Sequence, residues 1–273
     1  MGWVRPAGRW GGADSPPRPT AVHRLPPWWV EIVVVMAAYV AYQVVQILVT
    51  GSAHSAVQHA ERLWDLERRL HLDPELAMNH FLAPRHALVV FSGVYYGTTH
   101  FVLTPTVLAS LRWRRQDGYA ALRNTLVGSS LLALVMYWLV PLAPPRLAVP
   151  GVIDTSKVND ILSAGSPAWP ASLANQYAAM PSLHVAWAVW VALACEVAFP
   201  RFSARHLAWA YPLMTTLVVV STGNHFLADA VAAAVLVGAV LLVCDRRRPA
   251  LAPTRAAAPE RASPSRESEP AGR

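Results

Sequence analysis

The chain has 273 residues, of which 54% are hydrophobic and 14% are charged, and its formal net charge is +7. A soluble domain usually carries about 25% charged residues, so this composition excludes an ordinary soluble protein and favours a membrane protein. The excess positive charge is almost wholly arginine that flanks apolar runs. This pattern indicates membrane anchoring and excludes a nucleic-acid partner.

The two ends of the chain lack any apolar periodicity. Residues 1–27 are rich in Pro, Gly and Arg, and we predict that they form a disordered cytoplasmic segment. Residues 249–273 are mostly Ala, Pro, Ser, Arg and Glu. Because this composition cannot bury enough apolar surface to fold, we predict a disordered cytoplasmic tail. Residues 28–248 between them are predicted to form one transmembrane domain.

Apolar runs recur between the two ends, each near the length needed to cross about 30 Å of hydrocarbon. Six such runs predict an all-α polytopic membrane protein, built as a six-transmembrane-helix bundle. Cys195 falls inside one of these runs and Cys244 directly follows another, and free cysteine in apolar surroundings packs as a small hydrophobe. The predicted spans are Trp28–Val49, His86–Leu111, Asn124–Leu142, Leu183–Phe199, Leu207–Val220 and Phe226–Val243.

The distribution of arginine predicts the orientation, because short basic loops stay in the cytoplasm. Arginine is dense before the first span and in residues 112–123, 201–205 and 246–248. Both termini are therefore predicted to be cytoplasmic at the cell membrane, and three segments to face outward: 51–85, 143–182 and 221–225. The first outward segment interleaves four arginines with carboxylates and predicts an interfacial helix. Those carboxylates are Glu61, Asp65, Glu67, Asp73 and Glu75.

The sequence Ala179-Met180-Pro181-Ser182-Leu183-His184 lies where an outward segment enters the fourth predicted span. Proline is favoured in the first turn of a helix, where its missing N–H is not needed. Ser182 and the free N–H groups of that turn are predicted to form an anion site, helped by the helix dipole. His184 is expected at the outer membrane surface.

A second group, Gly223-Asn224-His225-Phe226-Leu227-Ala228-Asp229, lies at the outer mouth of the sixth predicted span. His225 and Asp229 are four residues apart and would share one face of a helix. A carboxylate inside a span is costly and is rarely kept without a partner or a function. We expect Asp229 to bond one ring nitrogen of His225 and to leave the other free as a nucleophile.

The third group, Pro141-Leu142-Ala143-Pro144-Pro145-Arg146, ends the third predicted span. Its prolines stiffen the exit of the chain, so Arg146 can present a fixed, bidentate fork to a phosphate. Taken singly, an interfacial histidine, a proline turn or an HxxxD pattern is more often structural. The predicted topology nevertheless places five residues at one depth on the outer side, which predicts one site. They are Arg146, Ser182, His184, His225 and Asp229.

Other polar residues in the spans are assigned no catalytic role. His100 lies about 21 Å along its span, past the midplane, and is predicted to hydrogen-bond within the bundle. Tyr96 is shallower and could contact a lipid headgroup. The histidines of the first outward segment have no spacing that pairs them with carboxylates, so we predict neither a metal nor a cofactor.

The motifs Pro181-Ser182-x-His184 and His225-x-x-x-Asp229 resemble those of the type-2 phosphatidic acid phosphatase superfamily, and the resemblance covers roughly residues 86–243. Within that superfamily, AAMPSLH and GNHFLAD are most similar to inositol-phosphorylceramide synthases and related bacterial inositolphosphotransferases. Leu183 and Val219 stand where the phosphatase branch has Gly and Arg, and no matching Lys precedes Arg146. These departures fit the inositolphosphotransferase-like branch better.

The resemblance implies phosphoryl transfer from a membrane lipid phosphate or phosphodiester at the extracytoplasmic face. It implies that His225 forms a phosphohistidine oriented by Asp229. His184 would protonate the leaving oxygen and then activate water or an alcohol acceptor such as inositol or a sugar. Arg146 and Ser182 would hold the phosphoryl oxygens.

Three alternatives stay open on the sequence. The chain could be a lipid phosphatase, an inositolphosphotransferase-like enzyme, or a non-catalytic lipid-phosphate binder or transporter that keeps the bundle. The sequence predicts no particular oligomeric state.

Overall fold

The computed structural model describes residues 27–48, 53–114, 116–155, 177–199 and 203–246. These residues form α-helices joined by turns, without a β-strand among them, which confirms the predicted all-α class. Apart from Pro27, the predicted disordered segments 1–27 and 249–273 lie outside the described residues. The helices are α1 (Trp28–Leu48), α2 (Ala53–Arg69), α3 (Glu75–Leu82), α4 (His86–Arg114), α5 (Gln116–Leu139), α6 (Pro145–Ala148), α7 (Leu183–Ala198), a 3-10 helix (Ser203–Trp209), α8 (Ala210–Ser221) and α9 (Leu227–Arg246).

Three of the described helices are long and apolar enough to cross a membrane: α4, residues Gly118–Leu139 of α5 and residues Leu227–Asp245 of α9. A helix lies at each of the six predicted spans, but the others are shorter or less uniformly apolar. The fifth predicted span, Leu207–Val220, begins as a 3-10 helix and continues as α8, whose 12 residues reach only about 18 Å.

The helix α7 is the centre of the bundle, since it packs against α4, α5, α8 and α9. It is rich in alanine, and small residues allow helices to approach closely. Trp190 is fully buried in α7 and donates its Nε1–H to the carbonyl of Leu122 at 2.7 Å. The N-terminus of α7 is therefore held in a fixed position relative to four neighbours. Its fully buried alanines are Ala186, Ala188, Ala192 and Ala194.

Ion pairs hold together the end of the bundle where arginine is dense. Glu31 of α1 is buried and pairs with Arg123 at 2.8 Å and with Arg112 at 3.7 Å. Glu196 of α7 pairs with Arg205 at 2.6 Å. These arginines belong to the segments predicted to be cytoplasmic, so their carboxylate partners lie at the same end.

The opposite end is covered by α2 and α3, which pack on α6 and α8 respectively. The interfacial helix predicted in residues 51–85 is thus two helices, separated by a turn in which His71 has a φ of 55°. Asn79 of α3 is buried, and its side-chain amide donates to the carbonyls of Ile153 and Ser221 at 3.0 and 3.1 Å. Asn79 therefore joins α3 to the end of α8 and to the segment that follows α6.

Candidate functional site

His225 and Asp229 form the centre of the candidate site. Nδ1 of His225 lies 3.2 Å from Oδ2 of Asp229, and the same oxygen accepts the backbone N–H of Phe226 at 2.9 Å. His225 is 5% exposed and Asp229 is fully buried. The predicted pair therefore forms, although His225 lies just before α9 rather than on it. With Nδ1 bonded to the carboxylate, Nε2 of His225 is the ring nitrogen left for chemistry.

A tight turn between α8 and α9 carries His225. The N–H groups of Asn224 and His225 both donate to the carbonyl of Val219 at 3.1 Å. Gly223 has a φ of +69°, and a Cβ at this position would lie 2.8 Å from Cγ1 of Val152. The turn therefore requires glycine both for its backbone conformation and for lack of space.

Arg146 lies on α6, directly against this turn. Its backbone N–H donates to the carbonyl of Gly223 at 3.0 Å, and its Nη1 donates to Oδ1 of Asn224. Its Nε lies 3.8 Å from a carboxylate oxygen of Asp154. Pro145 occupies the first turn of α6, where proline fixes the backbone for a helix start. Arg146, the residue predicted to bind phosphate, is thus hydrogen-bonded to the two residues that precede His225.

Ser182 joins the start of α7 to α9. It is fully buried, its backbone N–H donates to the carbonyl of Asp229 at 3.2 Å, and its Oγ accepts the N–H of Val185 at 3.5 Å. It is therefore the N-cap of α7. Pro181 lies before that cap, not in the first turn as predicted, and its carbonyl accepts the hydroxyl of Tyr137 at 2.7 Å.

His184 faces His225 across the site, with their ring centroids 6.3 Å apart. The ring of His184 stacks on Tyr96 at 4.0 Å and meets the edge of His100 at 4.6 Å. These two residues lie about 15 and about 21 Å along α4 from His86. His184 therefore lies well along α4 and not level with its start, because α7 begins between its neighbours.

His100 is a site residue that the sequence analysis set aside. It is 7% exposed and contacts His184 and Trp187, the latter with ring centroids 5.5 Å apart. Counting residues gives the position of His100 along α4, but His184, which was expected at the outer surface, lies at the same level as His100. A small cavity beside His184 would offer hydroxyl and imidazole partners to a water molecule. Its lining residues are Tyr95, Tyr96, Thr99, His100, His184, Tyr211 and Thr215.

Two carboxyl groups from the covering helices also reach the site. Oε1 of Glu75 accepts the N–H of Leu227 and Oε1 of Glu67 accepts the N–H of Ala228, each at 2.7 Å. Burial raises the pKa of Glu67 to about 8 and also raises the pKa of Glu75. Neither carboxyl was predicted to belong to the site, although Glu67 shares a helix face with the buried Ala56 and Ala60 of α2.

The five predicted site residues therefore form one connected group. Asp229 bonds His225 through its carboxylate and Ser182 through its carbonyl, Arg146 holds the turn before His225, and His184 faces His225. This arrangement offers a ring nitrogen as nucleophile, a second histidine for proton transfer and a guanidinium for an anion. Such a set suits phosphoryl transfer, in which positioning and electrostatic stabilisation supply most of the catalysis.

A family model described as the PAP2 superfamily matches residues 61–243. Neither a curated protein nor a solved structure matches the chain. The matched range begins within α2 and ends within α9, so it includes every residue of the site described above.

Proposed function

The chain belongs to the PAP2 superfamily, and from this membership we propose an integral-membrane enzyme that transfers a phosphoryl group from lipid phosphate esters through a phosphohistidine. Membership suggests phosphatase-type chemistry on lipid phosphates. The observation that carries the proposal for this chain is the bond between His225 and the buried Asp229, opposite His184. A carboxylate on one ring nitrogen orients a histidine and stabilises the cation that forms when the other nitrogen attacks.

In the first step, Nε2 of His225 attacks phosphorus and forms an N–P bond. The P–O bond to the lipid breaks at the same time, and protonated His184 gives its proton to the departing oxygen. Asp229 compensates the positive charge that develops on the ring of His225. Arg146 and Ser182 are proposed to hold the phosphoryl oxygens, where charge builds up in the transition state.

In the second step, neutral His184 accepts a proton from the attacking hydroxyl. The oxygen of that hydroxyl forms a new bond to phosphorus, the N–P bond breaks, and His225 returns to its starting state. Water gives inorganic phosphate from a monoester, whereas an alcohol gives a new phosphate ester. The same residues therefore serve hydrolysis and transfer.

Two residues favour an inositolphosphotransferase-like enzyme over a simple phosphatase. Val219 stands where the phosphatase branch has an arginine, and it is fully buried. Leu183 replaces the glycine of that branch and is 7% exposed. With no matching lysine before Arg146 either, the site lacks two cationic phosphate ligands of the phosphatase branch. Transfer to an inositol or a sugar is therefore the finer proposal, with hydrolysis as its alternative.

A non-catalytic lipid-phosphate binder or transporter is the proposal's rival from another class. Such a protein needs Arg146 for the anion, but it has no need of a buried carboxylate on Nδ1 of His225. A loss of turnover with retained lipid binding in His225→Ala would therefore support the enzyme.

The decisive experiment is an assay of the purified protein on a lipid phosphate monoester and a lipid phosphodiester, with and without added inositol or sugar. Wild type is expected to release phosphate or form a new phosphate ester. His225→Ala is expected to do neither, while His86→Ala, which changes an exposed histidine at the start of α4, keeps full activity. Turnover by His225→Ala, or none by wild type on either lipid class, would overturn the proposal.

We also propose that six spans place both termini in the cytoplasm and the site on the outer side. The test uses a chain without Cys195 and Cys244 that carries one new cysteine. Asp65→Cys on α2 should react with a membrane-impermeant maleimide in intact cells. Ser203→Cys, on the 3-10 helix, should react only after permeabilisation. The reverse pattern would invert the orientation and place the site inside.

A further inference from the structure

The first two N–H groups of α9 are capped by side chains from distant helices. Free N–H groups at a helix start need acceptors, and carboxylates suit the positive end of the dipole. Here Leu227 donates to Glu75 of α3 and Ala228 donates to Glu67 of α2. The caps therefore attach the covering helices to the turn that carries His225 and Asp229.

Both capping carboxyl groups are removed from water. Glu67 is 4% exposed and Glu75 is fully buried. Their remaining oxygens, Oε2 in each case, are buried and have no hydrogen-bond donor among the described residues. The two carboxyl groups are neighbours, because they cap consecutive N–H groups at the start of α9. Because ionised carboxylates only accept hydrogen bonds, a single proton between the two would satisfy both orphaned oxygens.

The charges around the pair do not substitute for that proton. Among the described residues, Asp229 and Asp73 are the other ionisable groups with the largest electrostatic effect on the pair, and both are carboxyls. The histidines on the same two helices contact backbone carbonyls instead: His59 bonds Pro141 and His80 bonds Gly151, each at 2.8 Å. Arg146, on the neighbouring α6, is engaged by Asn224 and Asp154.

We propose that Glu67 and Glu75 hold one proton between them at neutral pH and, as a pair, position His225 and Asp229. This inference rests on the proposed function, because the positioned groups are its nucleophile and the carboxylate that orients it. The pair does not touch the substrate; it acts through the backbone at the start of α9. Burial raises the pKa values of both carboxyls, in agreement with a retained proton.

Loss of the proton would leave two buried negative charges beside Asp229. Repulsion between them would pull at least one cap away from α9 and displace the turn before it. Because the proton stabilises the active arrangement, activity is expected below the raised pKa of about 8 of Glu67. It should fall as the pH rises through that value.

Substitution by glutamine removes the shared proton but keeps the oxygen that caps α9. In Glu67→Gln, Oε1 still accepts the N–H of Ala228, and the amide N–H replaces the shared proton toward Glu75. We expect kcat at neutral pH to stay within about threefold of wild type, whereas Glu67→Ala, which leaves a donor uncapped, should lose at least about tenfold. The alkaline fall in kcat should move upward by about one pH unit or more in Glu67→Gln. Glu61→Gln, an exposed control on α2, should match wild type throughout.

Infrared difference spectroscopy tests the proton without any turnover. Wild type at neutral pH should show the carbonyl stretch of a protonated carboxylic acid that is lost in Glu67→Gln and in Glu75→Gln but kept in Glu61→Gln. If the band is lost in these two variants but the wild type turns over no lipid, the shared proton is supported and the proposed function is wrong. Persistence of the band in both variants would overturn the shared proton. A kcat for Glu67→Gln as low as that of Glu67→Ala would do the same.

Discussion

Ser182 donates its backbone N–H to the carbonyl oxygen of Asp229, 3.2 Å away. The residue that caps α7 is therefore tied to the residue whose carboxylate orients His225. Since His184 follows two residues after Ser182, this bond sets the separation of the two histidine rings. The site is consequently built on two helix starts that are fixed to each other through their backbones.

The carboxylate of Asp229 can be tested without disturbing that backbone bond. Asp229→Asn keeps the shape of the side chain but removes the negative charge that compensates the ring of His225. We expect kcat to fall about 10²- to 10⁴-fold, the range typical of a lost acid–base partner. Turnover of a lipid phosphate and the melting temperature should be measured beside Asp65→Asn, an exposed control. Wild-type turnover in Asp229→Asn would remove Asp229 from the mechanism.

Gly223 is expected to be intolerant of even one methyl group. A residue with a Cβ at positive φ costs about 1–2 kcal/mol, and the Cβ would also overlap Val152. Gly223→Ala should therefore lower both the melting temperature and kcat. Adding Val152→Ala to that variant should recover only the part of the loss that comes from overlap with Val152. The control is Gly97→Ala in α4, where the new Cβ meets nothing within 4 Å. Equal behaviour of the two alanine variants would contradict the requirement for glycine.

Arg146 should not be replaceable by lysine. Arg146→Lys keeps the positive charge but loses the planar fork that bonds Asn224 and presents donors to a phosphate. We expect kcat/KM to fall about 10- to 100-fold, as for a lost hydrogen bond to a charged group. Steady-state kinetics should be compared with Arg62→Lys, which alters an exposed arginine of α2. An unchanged kcat/KM in Arg146→Lys would show that the fork does not bind substrate.

The stability of the fold should depend on pH through Glu67 and Glu75. Their pKa values are raised from the ordinary 4.5, and that of Glu67 reaches about 8. The folded chain thus holds its protons more tightly than the unfolded chain between these values, so stability falls as the pH rises from about 4.5 to about 8. The melting temperature should decline over that range in wild type and decline less in Glu67→Gln/Glu75→Gln. An identical decline in both proteins would refute the link.

The pairing of His225 with Asp229 could be predicted because it depends on local geometry. Four residues of spacing bring two side chains to one face of a helix, and the bond survives even though His225 lies before α9. The apolar runs likewise predicted helices at six places, because hydropathy reports directly on burial in lipid. Helix ends were less accurate: α5 begins at Gln116, eight residues before the predicted start, since its first turns are polar.

The role of Glu67 could not be predicted, because it depends on a contact between distant segments. Its neighbours Glu61, Asp65 and Arg68 are exposed, so the segment has the composition of a solvated helix. Only its register with Ala56 and Ala60, which are buried on the same face, indicates that Glu67 points inward. That register shows burial but does not identify the partner.

The depth of the site in the bundle could not be predicted from the sequence either. Residue counting gives the position of His100 along α4 but not the level at which α7 starts. The contact of His184 with both Tyr96 and His100 places that start well inside the bundle. The length of a short helix such as α7 is compatible with several depths in the bundle. Its contacts with the neighbouring helices are needed to decide between them.

The caps on α9 also join residues that are synthesised at very different times. Leu227 and Ala228 meet carboxyls that precede them by 152 and 161 residues. The ribosome thus synthesises the covering helices well before the proposed nucleophile, and domains form progressively as the chain emerges. A nascent chain that stops at the end of α8 holds Arg146, Ser182 and His184 but has no His225. An incomplete chain in the membrane would therefore be inactive until the turn before α9 and α9 itself have been added.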